Sequence, residues 1–562
     1  MRYRKITFAK IFSSMNKYLS IIAFSLLFAA ATQAQTTTSK PIARPKLVVG
    51  VVVDQMRWDF LYRYAEKYGQ GGFNRLTREG YSCANTHINY SPSYTACGHS
   101  CVYTGSVPAI HGIVGNTWYD LKEGKSVSNV GDSTKTTIGA ATNTGKVSPN
   151  RLLTSTITDE LRLATNMQSK VIGVALKDRG SILPAGHAAN AAYFFDVATG
   201  NWVTSSYYMN QLPTWVNKVN EQKLPAKLLA QNWNTILPLA QYTESHADDV
   251  DFEDLFSNEG KPIFEHRVGE LTKTSYSVLP ATPYGNTVTL EMAKAAIANE
   301  NLGKGKFTDF LAVSLSSTDY IGHRYGPNSV EVEDCYLRLD KEFEQFFGYL
   351  DNTIGKGNYL LFLTADHGAA HVPAYLQADS IRIPAGVFDM DTTMKQLETK
   401  LAAKYGQGPW LLNYDNMQIY LNNKLIADKN INRAELVKTC IDFIAPLAGI
   451  NQVIDLQHLN EAHIVDEMKA NIRKGLYPYR SGDLYVLYQP GWFEDHYKGT
   501  THGTIYSYDT HIPLVWMGWG ITPGEDHSDV YMTDIAPTLA AMLHIQEPNG
   551  NIGKVIQGLF KK

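Results

Sequence analysis

The stretch KLVVGVVVDQ, residues 46–55, opens with a lysine, runs through seven apolar residues, mostly valine, and stops at Asp54. Three later stretches share that shape: KVIGVALKDRG (170–180) ends in Lys177, Asp178 and Arg179, FLAVSLSSTDYIGH (310–323) reaches Asp319 and His323, and YLLFLTADHG (359–368) ends in Asp366 and His367. Short, unbroken apolar runs of this kind suit strands buried on both faces, as in a parallel sheet covered by helices. Helical patterns lie between them, at RLLTSTITDELRLATN (151–166) and VEVEDCYLRLDKEFEQFFGYLDNTIG (330–355). Strand–helix alternation predicts an α/β fold with a doubly wound, mostly parallel central sheet. Ligands of such sheets bind outside the carboxyl ends of the strands, which is where these polar residues would gather.

The rest of the chain frames this core. With 562 residues, 44% hydrophobic and 19% charged, it has ample material for a buried interior. A net charge of −3 gives no basic surplus to meet a phosphate backbone, so no nucleic-acid partner is expected. Basic residues precede LSIIAFSLLFAAA (19–31), and small residues follow up to Ala34. This order predicts a signal peptide over 1–34, a mature domain over 35–562, no membrane span once the signal is removed, and a periplasmic or secreted product; a monomer is expected. Five cysteines (83, 97, 101, 335 and 440) cannot all pair, and buried apolar roles are expected for most. Two long stretches, about 185–285 and 375–500, exceed ordinary connections and are expected to insert as caps over the strand ends.

Asp54, Asp319, His323, Asp366, His367 and His502 offer the carboxylates and imidazoles that a divalent transition metal takes. Asp319 and His323 stand one helical turn apart, so both can face one ion. Singly, each has a plain alternative, a helix cap or an ordinary core histidine. SYTACGHSCVYTG (93–105) could itself be a Cys97–His99–Cys101 metal site, but it lacks a second ligand cluster.

In order along the chain, VVVDQ, Y-T-x-x-G-H-x-x-x-Y-T-G, STDYIGH, TADHG and THGT resemble the alkaline phosphatase superfamily. The likeness is greatest to its exported, phosphate-irrepressible phosphomonoesterase branch, related to nucleotide pyrophosphatase/phosphodiesterases. The resemblance runs from about residue 46 to the C-terminus. It implies two zinc ions, one held by Asp319, His323 and His502, the other by Asp54, Asp366 and His367 with Thr95. It also implies that Thr95 is the nucleophile, forming a phospho-threonine intermediate, and that the two-ion branch has no magnesium requirement. Asn116, Lys177 and Arg179 match the branch's ligands for phosphoryl oxygens. Paired cations suit the dianionic end of a phosphate monoester, the expected small-molecule substrate, better than a diester with its single charge. A phosphodiesterase or pyrophosphatase on the same fold is the alternative. A sulfatase is disfavoured, because Cys97 is followed by Gly98-His99-Ser100 and not by the C-x-P-x-R context of that class.

Overall fold

The apolar run beginning at Leu47 forms strand β1 (Leu47–Val53), and every residue in it is buried. The computed structural model describes residues 43–560 except 274, 379, 495 and 496, so the expected signal peptide at 1–34 lies outside the described residues. From Pro45 onward the chain forms one unit. Its central sheet uses β1 and nine further strands: β2 (Tyr81–Cys83), β3 (Thr137–Ile138), β4 (Val171–Ala175), β5 (Ala191–Asp196), β6 (Asn201–Ser205), β7 (Asp309–Leu315), β8 (Tyr359–Thr364), β9 (Leu514–Gly518) and β10 (Gly524–Asp526). They lie in the order β10-β2-β9-β8-β1-β7-β4-β5-β6-β3. The middle five, β8-β1-β7-β4-β5, are parallel, whereas β9 and β6 pair antiparallel at their flanks.

Register explains where the chemistry collects. Val53 lies opposite Leu315, Val52 opposite Thr364, and Ser314 opposite Ala175. Continued two residues past the strands, the same pairing sets Lys177, Ser316, Asp54 and Asp366 in one row beyond the carboxyl edge. Two bonds tie the row together: Asp54 N donates to Leu315 O at 3.1 Å, and Lys177 N to Ser316 Oγ at 3.4 Å.

Five helices serve the site: α1 (Thr95–Thr104), α2 (Asp178–Ala185), α3 (Tyr284–Glu300), α4 (Ser317–Tyr325) and α5 (Val330–Leu350). Each of α1, α2 and α4 begins within about two residues of a residue named above as a phosphate or metal ligand. Helix α1 is buried at every position and ends at Gly105, whose φ of 63° suits a residue without a side chain. Helix α5 is amphipathic; Ser329 caps it by accepting from Val332 N, and Phe343, Phe346 and Phe347 enter the core.

The two long stretches fold differently from each other. Between 185 and 285 the chain does not simply cover the strand ends, because its first part extends the sheet as β5 and β6, and all six residues of β5 are buried. The run AAYFFD is an apolar strand like its neighbours, with an aromatic content that hides the pattern. Between 375 and 500 a four-stranded sheet forms from Leu411–Asp415, Gln418–Leu421, Leu484–Tyr488 and Ile450–Asp455. It has its own hydrophobic core, including Leu397, Leu401, Trp410, Ile419, Leu436 and Val486. All five cysteines are buried thiols without a bridge.

Candidate active site

Thr95 is the first residue of α1, and Tyr94 before it is extended. The helix's first N–H groups therefore converge beside the Thr95 hydroxyl, a favourable place for an anion. One of these groups is already engaged: Ala96 N donates to Asn116 Oδ1 at 3.0 Å, fixing the Asn116 amide next to Thr95. Thr95 is itself buried, and its Oγ1 lies 3.3 Å from His367 Nε2.

Around that hydroxyl the structure assembles two groups of three, Asp54–Asp366–His367 and Asp319–His323–His502, with the ligand atoms of each group within 4.8 Å of one another. Asp319 Oδ1 lies 3.2 Å from His323 Nε2 and 3.7 Å from His502 Nε2. His367 Nε2 lies 3.4 Å from Asp54 Oδ1 and 3.5 Å from Asp366 Oδ2. The rings of His367 and His502 stack at 3.4 Å and join the two groups.

The donor set fits metal ions. Nδ1 of each imidazole meets a backbone carbonyl: Thr500 O for His323 at 2.8 Å, Ser93 O for His502 at 2.9 Å and Gly368 O for His367 at 3.0 Å. An N–H at Nδ1 leaves Nε2 as the lone-pair nitrogen, and all three Nε2 atoms face carboxylates. Among the described residues Asp54 Oδ1 is buried and accepts no hydrogen bond, and Asp366 Oδ2, equally buried, has only His99 Nδ1 near it at 3.3 Å. A buried anionic oxygen left in that state costs several kcal/mol unless a cation meets it.

The electrostatics follow from the crowding. Burial, then the charges of Asp319 and Asp366, push the Asp54 carboxyl well above the usual range. Burial also opposes ionisation of Asp319, but Lys177 and His323 outweigh it and hold that carboxyl well below. Burial lowers His502 strongly, with His367 and His323 adding to it, and burial lowers His367 as well. Both rings are thereby kept neutral, the form that ligates a metal.

Lys177 is where structure and expectation part. Its Nζ lies 2.7 Å from Asp54 Oδ2 and 2.6 Å from Asp319 Oδ2, bridging the two groups instead of standing clear of them. A buried ammonium seeks the nearest negative charge, and the buried carboxylates of Asp54 and Asp319 are both within reach. Arg179, on the first turn of α2, keeps a buried Nε that donates to no acceptor among the described residues.

Two contributors were not singled out as functional. Gln55 donates from Nε2 to Asp319 Oδ1 at 2.9 Å and from N to Asp366 Oδ1 at 3.1 Å, spanning both groups. His99, weighed above only within a Cys97–His99–Cys101 metal site, sits with Nδ1 2.9 Å from Thr95 O and 3.3 Å from Asp366 Oδ2, and with Nε2 2.8 Å from Ser314 Oγ. It ties α1 to the carboxylate and to β7. Gly98 makes that approach possible, since a Cβ there would stand 2.3 Å from Asp366 O. Cys97 and Cys101 turn away from the metal groups, toward Ile113 O and His111 respectively.

A cavity of about 350 Å³ opens beside His502, Asn116 and Tyr94, and its far wall is Asp415, Asn416, Met417, Tyr488, Phe493 and Glu494. That wall comes entirely from the 375–500 segment.

Two carboxylate–imidazole groups able to hold metal ions, flanking a helix-mounted hydroxyl at the carboxyl edge of a mixed α/β sheet, define a hydrolase of the alkaline phosphatase superfamily. The chain belongs to the type I phosphodiesterase/nucleotide pyrophosphatase family, whose model matches residues 48–519. It is 48% identical over 556 residues to alkaline phosphatase PhoV of Synechococcus elongatus, covering 97% of this chain and 99% of that one. It is also 48% identical over 524 residues to a Myroides odoratus protein named calcium-transporting ATPase, covering 92% and 95%. The solved structure of alkaline phosphatase PafA superposes with a TM-score of 0.90 at 46% identity, covering 92% of this chain and 99% of that one.

Proposed function

We propose that the chain is a periplasmic or secreted, monomeric two-zinc phosphomonoesterase that works through a phospho-threonine intermediate. The observation that carries this reading is the placement of Thr95 at the N-terminus of α1, its Oγ1 3.3 Å from His367 Nε2, between two groups able to hold metal. Asp319, His323 and His502 would hold one ion, and Asp54, Asp366, His367 and Thr95 the other. Metal ions bound there supply Lewis acidity, lowering the pKa of a ligated hydroxyl and neutralising charge on phosphate oxygens.

The protein's own groups do the positioning. The Thr95 oxygen attacks phosphorus, the ester oxygen leaves with its electron pair, and water then cleaves the phospho-threonine to free phosphate and restore the hydroxyl. The other first-turn N–H groups of α1 and the Asn116 Nδ2 would donate to the phosphoryl oxygens as charge moves onto them, with Ala96 N holding the Asn116 amide in place. Lys177 and Arg179 complete the oxyanion contacts. Cations held by Asp54 and Asp319 would displace the Lys177 ammonium from those carboxylates, and its four-carbon stem would let it turn to substrate. A solved variant of PafA changed at one threonine, one asparagine, one lysine and one arginine supports the choice of four. Thr95, Asn116, Lys177 and Arg179 are the same types in the same order, with the same intervals within each pair. The names of the relatives, two alkaline phosphatases and one ATPase, have hydrolysis of a phosphoryl group in common.

The 375–500 segment, facing the cavity with Asp415, Tyr488, Phe493 and Glu494, is the surface for the leaving group. Monoester and diester turnover by wild type and Lys177→Ala tests the substrate class. A large loss on the monoester with diester turnover little changed supports the proposal, and a Lys177→Ala enzyme whose preferred activity is left largely intact favours the diesterase alternative.

A further inference from the structure

Within the 375–500 segment, the strands Leu411–Asp415 and Gln418–Leu421 form a hairpin that turns through Asn416 and Met417, at φ 56° and 59°. A two-residue turn with both central residues in the left-handed region matches the twist of its strands, and asparagine tolerates that region. The tip is clasped to the segment that carries Asn116. Asn416 Nδ2 donates to Thr117 O at 2.8 Å, and Thr117 Oγ1 donates to Asp415 Oδ2 at 2.9 Å. Gly115 admits this contact, since a Cβ there would stand 2.2 Å from Asn416 Oδ1. The Asp415 carboxylate is therefore anchored to the immediate neighbour of Asn116.

Glu494 reaches the same cavity from the end of the strand Trp492–Glu494. Its Oε2 accepts from Tyr488 OH at 3.0 Å and from Tyr414 OH, and the two phenols lie 2.9 Å apart. Hydroxyl donors hold the carboxylate in place without cancelling its charge. Asp415 and Glu494 both line the cavity of about 350 Å³, and no lysine or arginine lines it among the described residues. Burial lifts the Asp415 carboxyl to about 6, so it is an anion at neutral and alkaline pH. Tyr94, Tyr488 and Phe493 add aromatic surface to the same walls.

The two ends of a bound ester thus meet opposite surroundings. Lys177, Arg179 and the groups able to hold metal suit the phosphate, while the leaving group faces two anchored carboxylates among aromatic rings. A leaving group with a carboxylate or a second phosphate is repelled there, whereas an ammonium gains both carboxylates and the rings. Resting on the phosphomonoesterase reading above, we infer that the preferred substrates are phosphate monoesters of amino alcohols, with the ammonium held by Asp415 and Glu494. Because Asp415 is bonded to the residue beside Asn116, a short alkyl arm spans the two sites. In the overall reaction the ester P–O bond breaks, the oxygen of water stays on phosphorus, and a proton goes to the released amino alcohol.

The test compares kcat/KM for three esters of similar size: 2-aminoethyl phosphate, n-propyl phosphate and carboxymethyl phosphate, with cationic, neutral and anionic leaving groups. Metal-replete wild type, Asp415→Asn and Glu494→Gln are assayed, with Tm as the check on folding. Ratios between esters are internal to each protein, so a general loss of activity cancels. In wild type the expected order is aminoethyl over propyl over carboxymethyl. In each variant the aminoethyl-to-propyl ratio should fall by at least about fivefold and the carboxymethyl-to-propyl ratio should rise. An aminoethyl-to-propyl ratio unchanged in either variant overturns the ammonium site, as does a wild type that prefers the carboxymethyl ester, while the phosphomonoesterase reading stands. If wild type hydrolyses none of the three, that reading falls and the inference with it.

Discussion

At the scale of the residue, Thr95 and Lys177 carry the sharpest expectations. In the proposed mechanism Thr95→Ala removes the attacking oxygen, so phosphate-ester turnover should fall by at least about a thousandfold with Tm nearly unchanged. Thr95→Ser should retain measurable activity. Lys177 bridges Asp54 and Asp319 at 2.7 and 2.6 Å, so its removal leaves two buried carboxylates facing each other. In metal-stripped protein Lys177→Ala should cost about 3–5 kcal/mol, the range for breaking a buried pair. With metal restored the loss should shrink, because the ions take over the charge balance; unfolding with and without chelator measures the difference. His99→Ala, by freeing Asp366 Oδ2 and the α1 backbone, should weaken metal retention by roughly 10–100-fold, the usual effect of losing an orienting contact. Metal content after graded chelation reads that directly.

At the scale of the element, α1 is placed against Asp366 by the absence of one side chain. Gly98→Ala would set a Cβ 2.3 Å from Asp366 O, so the helix or the strand end must move. The expected cost is about 1–3 kcal/mol in unfolding free energy with a larger drop in kcat than in substrate affinity, since Thr95 and Asp366 are displaced relative to each other. The elements also divide what sequence could tell. The strands β1, β4, β7 and β8 were legible because each is an apolar run buried on both faces, and their polar ends marked where ligands gather. β5 was not, because AAYFFD is dense in aromatics and sits inside a stretch of turn-forming residues. Gln55 and His99 were missed for a different reason. Their roles depend on reaching Asp319 and Asp366, more than 260 residues away in the chain, and no local spacing encodes such a contact. Lys177 was visible as a cation at a strand end, but the row it shares with Asp54 is set by register across three strands.

At the scale of the whole molecule, the parallel middle of the sheet gathers Asp54, Lys177, Asp319, Asp366 and His367 at its carboxyl edge, and the 375–500 segment walls the adjoining cavity. Under the proposed function, the chemistry falls to the sheet edge and the leaving-group contacts to the cavity wall of Asp415, Tyr488, Phe493 and Glu494. Substitutions on that wall, such as Phe493→Ala, should raise KM selectively for esters with bulky leaving groups and leave small monoesters little changed. The central claim, a two-metal phosphomonoesterase, meets its most direct measurement in one purified sample. It is assayed on a monoester and a diester before chelation, after chelation and after zinc is restored. The account predicts preference for the monoester, loss of turnover on chelation, and recovery at two zinc ions per chain. Monoester hydrolysis that chelation leaves untouched would contradict it.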